Sequence, residues 1–404
     1  MQSNPAPAGG DKDACVNGKL SESQLPKLQC MRPTRLIPAI LLVISTLGVP
    51  VSADENSCAQ PHSDQTIAAC RAAVAAGTAT PRALATALWE RGREAGRAGD
   101  LDRAIVDLDE AIRTDATLAA AFNSRGVVFR RQRKFDSALA DFNEAMRLEP
   151  GDAAFVSNRG RAYYEMPDFD RAQRDFDRAI TLDPKQVSAW YGRGLVHYAR
   201  REFDAAIAAY DEALKLDPKN AIGYSNRAMA YADKGELDRA IANYDEALRL
   251  DPRYLVALVS RGRAFHNKGS YDAAIADHTA ALRINPNEVG ALENRAASYV
   301  RKSEFDRAIA DCDRALALDP HDGTAFVNRA AAYASKHNYA RAIADYSAAI
   351  RIDADDIDAL SGRGQAYEQV ADYVQAAADY EHLLRLHPNE AEIREWLETV
   401  RHRR

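Results

Sequence analysis

Cysteine is scarce in this 404-residue chain, with 5 in all. Beyond residue 53 only Cys58, Cys70 and Cys312 remain, and only His62 stands near the first two, which is too few ligands for a zinc site. The 9 histidines are scattered, and none pairs with a second His or Cys at metal spacing. Lysine is rare, 11 against 42 arginines, and the net charge is −6 with no dominant basic block. A nucleic-acid partner would call for a strongly basic face, so none is expected. With 16 prolines and 21 glycines, long disorder is excluded outside the first segment. There is no phosphate-cradling glycine loop, and no Ser, Cys or Thr beside a base. These absences point away from an enzyme and away from a small-molecule cofactor.

Long apolar runs are also missing, with one exception. From Met31 the chain reads two basic residues, Arg32 and Arg35, then an apolar stretch Leu36 to Val51, then the small residues Val51-Ser52-Ala53. That order is a secretory signal, with cleavage expected after Ala53. Pro38, Gly48 and Pro50 interrupt the stretch, which is short for a spanning helix. Retention as a membrane anchor is the alternative, and membrane contact is expected only through an uncleaved signal. Residues 1–30 carry no fold signal and are read as a non-native or disordered extension, with translation starting at Met31. The mature protein is therefore expected to be periplasmic or secreted. Such a compartment would allow a Cys58–Cys70 disulfide tying the irregular start to the helix that follows.

What the chain has in abundance is a period. Pro150, Pro184, Pro218, Pro252, Pro286, Pro320 and Pro388 each follow an acidic residue, Asn or His, at steps of 34 or twice 34. A fixed period of this size marks stacked supersecondary units. Nine units follow: 85–118, 119–152, 153–186, 187–220, 221–254, 255–288, 289–322, 323–356 and 357–390. Each reads as two helices. In the fifth, Tyr224, Ala228 and Tyr231 share one face, a break follows, and Ala240, Tyr244 and Ala247 share a second face before Pro252 ends the helix. Place eight of every unit is Gly or Ala and place twenty is always Ala. Place twenty-seven is Ala except at Leu383. Only small side chains let two helices approach closely there. Residues 54–84 are expected to form a disulfide-tied cap with a degenerate helix. Residues 391–404, with Ile393, Trp396, Leu397 and Val400, are expected to cover the last open face.

An aromatic or apolar residue at place four, Gly or Ala at eight, an aromatic near eleven, Ala at twenty and twenty-seven and Pro at thirty-two resembles the tetratricopeptide repeat. The resemblance spans residues 85–390. It implies an all-α solenoid of antiparallel helix pairs in a right-handed superhelix, first helices lining the concave side. It also implies a protein-interaction scaffold with no chemistry of its own, whose partner is a protein or peptide in the concave groove.

Place seven departs from the family's usual Leu. It is Arg throughout: Arg91, Arg125, Arg159, Arg193, Arg227, Arg261, Arg295, Arg329 and Arg363. A partly buried guanidinium needs a partner. Place twenty-three supplies Asp107, Asp141, Asp175, Asp277, Asp311, Asp345 and Asp379. Where it is Ala209 or Asn243, place twenty-five offers Asp211 to Arg193 and Asp245 to Arg227. Two readings stand: an internal Arg–Asp ladder, or an arginine row facing an anionic ligand.

Place six holds Asn158, Asn226, Asn294 and Asn328. In relatives, including the repeat arms of O-linked N-acetylglucosamine transferases, concave asparagines bond an extended peptide's backbone. The alternative is that they bond within their own repeats. Family geometry adds Arg130, Arg131, Arg161, Tyr164, Tyr191, Leu195, Tyr198, Met229, Arg263, His266 and Arg301 to the concave lining, with the N-terminal third more basic. The arrangement that clamps a C-terminal carboxylate in some relatives is absent. Besides the peptide-binding scaffold, an envelope self-assembly protein and a carbohydrate-binding module remain open. His197 and His278 stand where other units have Tyr or Phe and are expected to fill core positions. Cys312 stands at a large-residue core place and is a poor nucleophile there.

Overall fold

The computed structural model describes residues 58–59 and 63–403. The signal segment and the extension before it lie outside the described residues. Those described form twenty helices and no strand, in two compact units, one ending at Val196 and the other starting at His197. In the first unit, α1 (Asp64–Ala75) precedes the pairs α2 (Pro81–Ala98) and α3 (Leu101–Thr114), α4 (Ala119–Arg131) and α5 (Phe135–Leu148), and α6 (Ala153–Glu165) and α7 (Phe169–Leu182). The boundary falls within α8 (Val187–Ala199). The second unit holds α9 (Phe203–Leu216) and then four pairs: α10 (Ala221–Asp233) with α11 (Leu237–Leu250), α12 (Leu255–Asn267) with α13 (Tyr271–Ile284), α14 (Val289–Arg301) with α15 (Phe305–Leu318), and α16 (Gly323–Ser335) with α17 (Tyr339–Ile352). A fifth pair, α18 (Ile357–Gln369) with α19 (Tyr373–Leu386), and the closing helix α20 (Ala391–His402) complete it.

From α2 to α7 and from α10 to α19 the two helices of each pair pack together and each pair packs on the adjacent one, so each unit is an all-α solenoid. Successive first helices also touch: α2 with α4 and α4 with α6 in one unit, and α10, α12, α14, α16 and α18 in series in the other. That closer approach puts the first helices on the inner side of each stack. The ends are covered as an array requires, because a terminal repeat has no neighbour to bury its apolar face. Ile67, Cys70 and Ala73 of α1 are buried against the first repeat, and a Cys58–Cys70 disulfide fastens the entry to α1. At the other end Ile393, Leu397 and Val400 of α20 are buried, and Trp396 lies 5.5 Å from the Tyr380 ring.

Helix boundaries follow local chemistry. Asp152, Asn220, Asp322 and Asp356 cap first helices, and Asp100, Asp168, Asn338 and Asp372 cap second ones. Each accepts from a backbone N–H of the first turn. The tight link between the helices of a pair passes through the left-handed region at place fifteen. Gly99, Gly235 and Gly269 have φ of 92°, 87° and 82° there, and Arg133, Arg201, Ser303, His337 and Ala371 have 58° to 61°. Glycine adopts this conformation freely, whereas a side chain is strained in it.

The small residues at place eight are explained by what faces them. A Cβ on Gly126 would stand 2.7 Å from the Phe142 ring, and one on Gly364 would stand 2.5 Å from the Tyr380 ring. Place twenty-four carries that ring in most repeats and is fully buried at Phe142, Tyr210, Tyr244 and Tyr380. At His278 the same place holds an imidazole, also fully buried, with neither ring nitrogen hydrogen-bonded. Burial, with smaller contributions from His266 and Arg295, pushes His278 down to about 3. His197 differs from expectation. It is only half-buried, and its Nδ1 sits 2.6 Å from Glu202 Oε2 at the surface.

Two sets of variants test this packing. Gly126→Ala is expected to destabilise by about 1–3 kcal/mol through overpacking against Phe142. Ala371→Gly is expected to stabilise by roughly 0.5–1 kcal/mol by relieving the left-handed strain; urea unfolding distinguishes the two signs. His278 is neutral when folded down to about pH 3, while the unfolded chain binds its proton below about pH 6.5. Its contribution is therefore fully present above pH ~6.5 and is lost as pH falls towards ~3, by at most about 1.4 kcal/mol per pH unit. His278→Phe, which gives the Gly–Phe pairing found at Gly126 and Phe142, is expected to flatten the fall in melting temperature across that window.

Candidate functional site

Eight of the nine periodic arginines bridge three helices each, Arg193 being the exception. Arg125, on α4, donates from Nε and Nη2 to both oxygens of Asp141 on its own second helix, at 2.8 and 2.7 Å. Its third nitrogen, Nη1, donates to Asp109 on the preceding second helix at 2.6 Å. The same fork recurs at Arg261 with Asp277 and Asp245, and at Arg329 with Asp345 and Asp313. Neutral acceptors replace the outer carboxylate for Arg159 (Asn143, 2.7 Å), Arg295 (Thr279, 3.0 Å) and Arg363 (Ser347, 3.0 Å), while Asp175, Asp311 and Asp379 take the inner fork. Arg91 completes the series, with Asp107 on α3 and Asp64 on α1. The inner carboxylates are buried and the guanidiniums mostly so. A forked donor matched to a carboxylate is strong and geometrically restrictive. Asp141 and Asp109 hold Arg125 above the ordinary arginine range against the cost of burial.

Two of the expected pairings change. Arg227 does not reach Asp245. It donates to Asn243 at 2.7 Å and, backwards, to Asp211 at 2.5 Å, leaving Asp245 to Arg261. The cause is direction: place twenty-five of each second helix faces the following repeat. Arg193, correspondingly, is not paired with Asp211. Its Nε lies 3.7 Å from Asp177 of the preceding repeat, makes no hydrogen bond, and stacks its guanidinium 5.3 Å from the Trp190 ring. A second, outer row joins successive repeats of the second unit: Lys234, Lys268, Lys302 and Lys336 pair with Asp204, Asp238, Asp272 and Asp306. These pairs are exposed and each contributes little.

The inner face uses the asparagines in more than one way. Asn158 donates to Asn123 Oδ1 at 2.9 Å and Asn328 to the Glu293 carbonyl at 3.3 Å, so both reach back to the preceding first helix. Trp89 Nε1 makes the equivalent link to Ser124 at 2.8 Å. Asn294 bonds its own helix, to the Gly290 carbonyl. Asn226 is half-buried and has no side-chain hydrogen bond. The places nearer the helix C-termini form a second line: Tyr198 donates to Asp233, Arg130 to Glu165, and Arg131 to the Gly96 carbonyl. Tyr164 and Tyr191 are half-buried. Tyr164 lies 5.8 Å from the Phe169 ring and 5.4 Å from the Arg161 guanidinium. Burial beside Asp322 pushes Glu293 well above the usual carboxylate range. Place six has one further duty that sequence reasoning missed. Gly192 and Gly362 stand there because a Cβ would meet the preceding repeat's Phe176 or Tyr346 ring at 2.2 or 2.3 Å.

Among the described residues no group of three or more His, Cys, Asp or Glu side chains could hold a metal ion. No described helix is long and apolar enough to cross a membrane. Cys312 is buried, and burial pushes its thiol well up, away from the reactive thiolate.

Two family models match in sequence. One, described as a tetratricopeptide repeat, covers residues 89–153, 157–221 and 225–289; the other, described as a TPR repeat, covers 331–370. No curated protein matches the chain. Among solved structures, the APC/C hetero-tetramer Cut9-Hcn1 has a chain similar to this one, with TM-score 0.53 and 16% identity over 79% of this chain and 76% of that one. A tetratricopeptide repeat protein from Parabacteroides merdae aligns with TM-score 0.52 and 21% identity over 62% of this chain and 98% of that one. At these identities the likeness concerns the fold.

The bridging geometry makes a quantitative expectation. Arg261→Leu strands the buried Asp277 carboxylate, and is expected to cost about 2–4 kcal/mol, somewhat below the fully dry case because the guanidinium is partly exposed. Arg261→Leu combined with Asp277→Leu is expected to recover part of that loss, and Asp245→Ala alone, at an exposed carboxylate, to cost under about 1 kcal/mol. Denaturant unfolding of these variants, with Asp277→Leu as the second single substitution, measures the cycle.

Proposed function

Because this chain belongs to the tetratricopeptide repeat family, we propose that it is a non-enzymatic scaffold that holds a segment of another protein against the inner face of its first helices. The observation that carries the reading is a division of labour. The arginine forks are satisfied by internal bonds, and the first helices carry a varied set of half-buried side chains on their inner side, Tyr164, Tyr191, Tyr198, Arg130, Arg161 and Asn226. Half-buried aromatic and arginine side chains are the residue types that dominate recognition energy at protein interfaces. Asn158 and Asn328 of the asparagine row space successive first helices, and Asn226 is the member with a free amide for a peptide backbone. Export to the periplasm or beyond belongs to the same reading, and the Cys58–Cys70 disulfide supports it, since such bonds persist in oxidising compartments.

Photo-crosslinking residues placed at Tyr164 and Tyr198 are expected to capture a defined partner segment from the native cell envelope. The same residues at Arg147 and Arg249, exposed on second helices, are expected to capture none. Capture confined to the outer positions, or of further copies of this chain alone, would contradict the scaffold reading and favour self-assembly.

A further inference from the structure

Guanidiniums crowd the inner face of the first unit beyond what its carboxylates balance. Arg93 and Arg97 on α2, Arg130 and Arg131 on α4, and Arg161 on α6 lie on this face, and the acids beside them are Glu90, Glu94 and Glu165. Glu165 is shared: it accepts from Arg130 Nη1 and, at 2.9 Å, from Arg161 Nε. Arg131 has only the Gly96 carbonyl as its acceptor. Burial, with Arg161 and Arg131 as like-charged neighbours, pulls Arg130 below the ordinary arginine value even though Glu165 opposes it. Two donors on this face, Arg93 Nε and Arg130 Nε, are buried without any hydrogen-bond partner. A buried donor without an acceptor is costly, and native structures rarely leave one without a reason. Beside them, Glu90, Arg93, Glu94, Arg97 and Ala98 line an open cleft of about 470 Å³, and the Arg93 guanidinium is stacked 4.8 Å from the Trp89 ring.

The place-seven arginines show what a satisfied guanidinium looks like in this protein: Nε and Nη2 both on one carboxylate. On the inner face of α2 and α4 the Nε positions lack that partner. We propose that this face is a docking site for an acidic peptide segment, whose Asp or Glu carboxylates meet the terminal guanidinium nitrogens of Arg93 and Arg97 at the cleft and relieve the repulsion among Arg130, Arg131 and Arg161, while the two buried Nε donors stay covered by protein. The proposal rests on the scaffold reading and specifies the partner's chemistry. Glu90 and Glu94 at the cleft set its selectivity: they disfavour a featureless polyanion and select spaced carboxylates that fall between them. The segment is held by charge, so its binding weakens with salt.

The test uses the full chain and three labelled peptides of equal length, alternating Gly with Glu, Ser or Lys, with fluorescence anisotropy as the readout. The Glu peptide is expected to bind most tightly. Arg93→Gln with Arg97→Gln is expected to weaken it on the order of tenfold while leaving the circular dichroism spectrum and melting temperature unchanged. Arg147→Gln with Arg249→Gln, which removes the same charge from outer surfaces, is expected to leave binding within about twofold. Equal binding of the three peptides, or equal weakening by the inner and outer pairs, would overturn the acidic-segment proposal while leaving a scaffold of other specificity standing. Binding of no peptide of any charge would overturn the proposal together with the inner-face reading beneath it.

Discussion

The forked arginine at place seven is the contact on which the stack depends. Apolar burial draws helix pairs together, but alanine-rich faces are smooth and tolerate sliding. A guanidinium that fastens one carboxylate in its own repeat and an acceptor in the preceding one tolerates very little. It fixes the angle between the helices of a pair and, through the third nitrogen, the step to the next pair. Buried ion pairs are weak evidence of net stability, because desolvation offsets much of the attraction. Their contribution here is to register: one arrangement of neighbouring repeats satisfies the fork, and slipped arrangements leave a carboxylate such as Asp277 buried and unpaired.

That constraint divides the surfaces. With register set on the side where first and second helices meet, the inner side of the first helices is free to vary, and it does. In the first unit it holds clustered arginines on α2, α4 and α6; in the second it holds Asn226 and Met229 on α10 and Glu293, raised by burial, on α14. Two inner-face bonds, Trp89 to Ser124 and Asn158 to Asn123, are spacers between successive first helices. A scaffold of this kind changes partner by changing such side chains without disturbing the frame.

Much of the frame was legible in the residues. The 34-residue step, the small residues at places eight, twenty and twenty-seven, and the coincidence of Arg and Asp in one unit follow from packing rules that act within a repeat. What escaped were contacts between repeats. Arg227 lies 16 residues from both Asn243 ahead and Asp211 behind, so a repeat considered as a closed unit assigns it the wrong acid. Asn158 and Gly192 share a place and owe their identities to the preceding repeat, one to Asn123 and the other to the Phe176 ring. Periodicity reveals which places are constrained, and only the stack reveals by which neighbour.

The most direct test of the register account is hydrogen exchange at the arginine side chains, followed by nuclear magnetic resonance. The Nε–H groups of Arg91, Arg125, Arg159, Arg227, Arg261, Arg295, Arg329 and Arg363 each have an acceptor, and that of Arg193 has none. The account predicts slow exchange for the first eight and distinctly faster exchange for Arg193. Exchange of all nine at the rate of surface arginines such as Arg147 would contradict it.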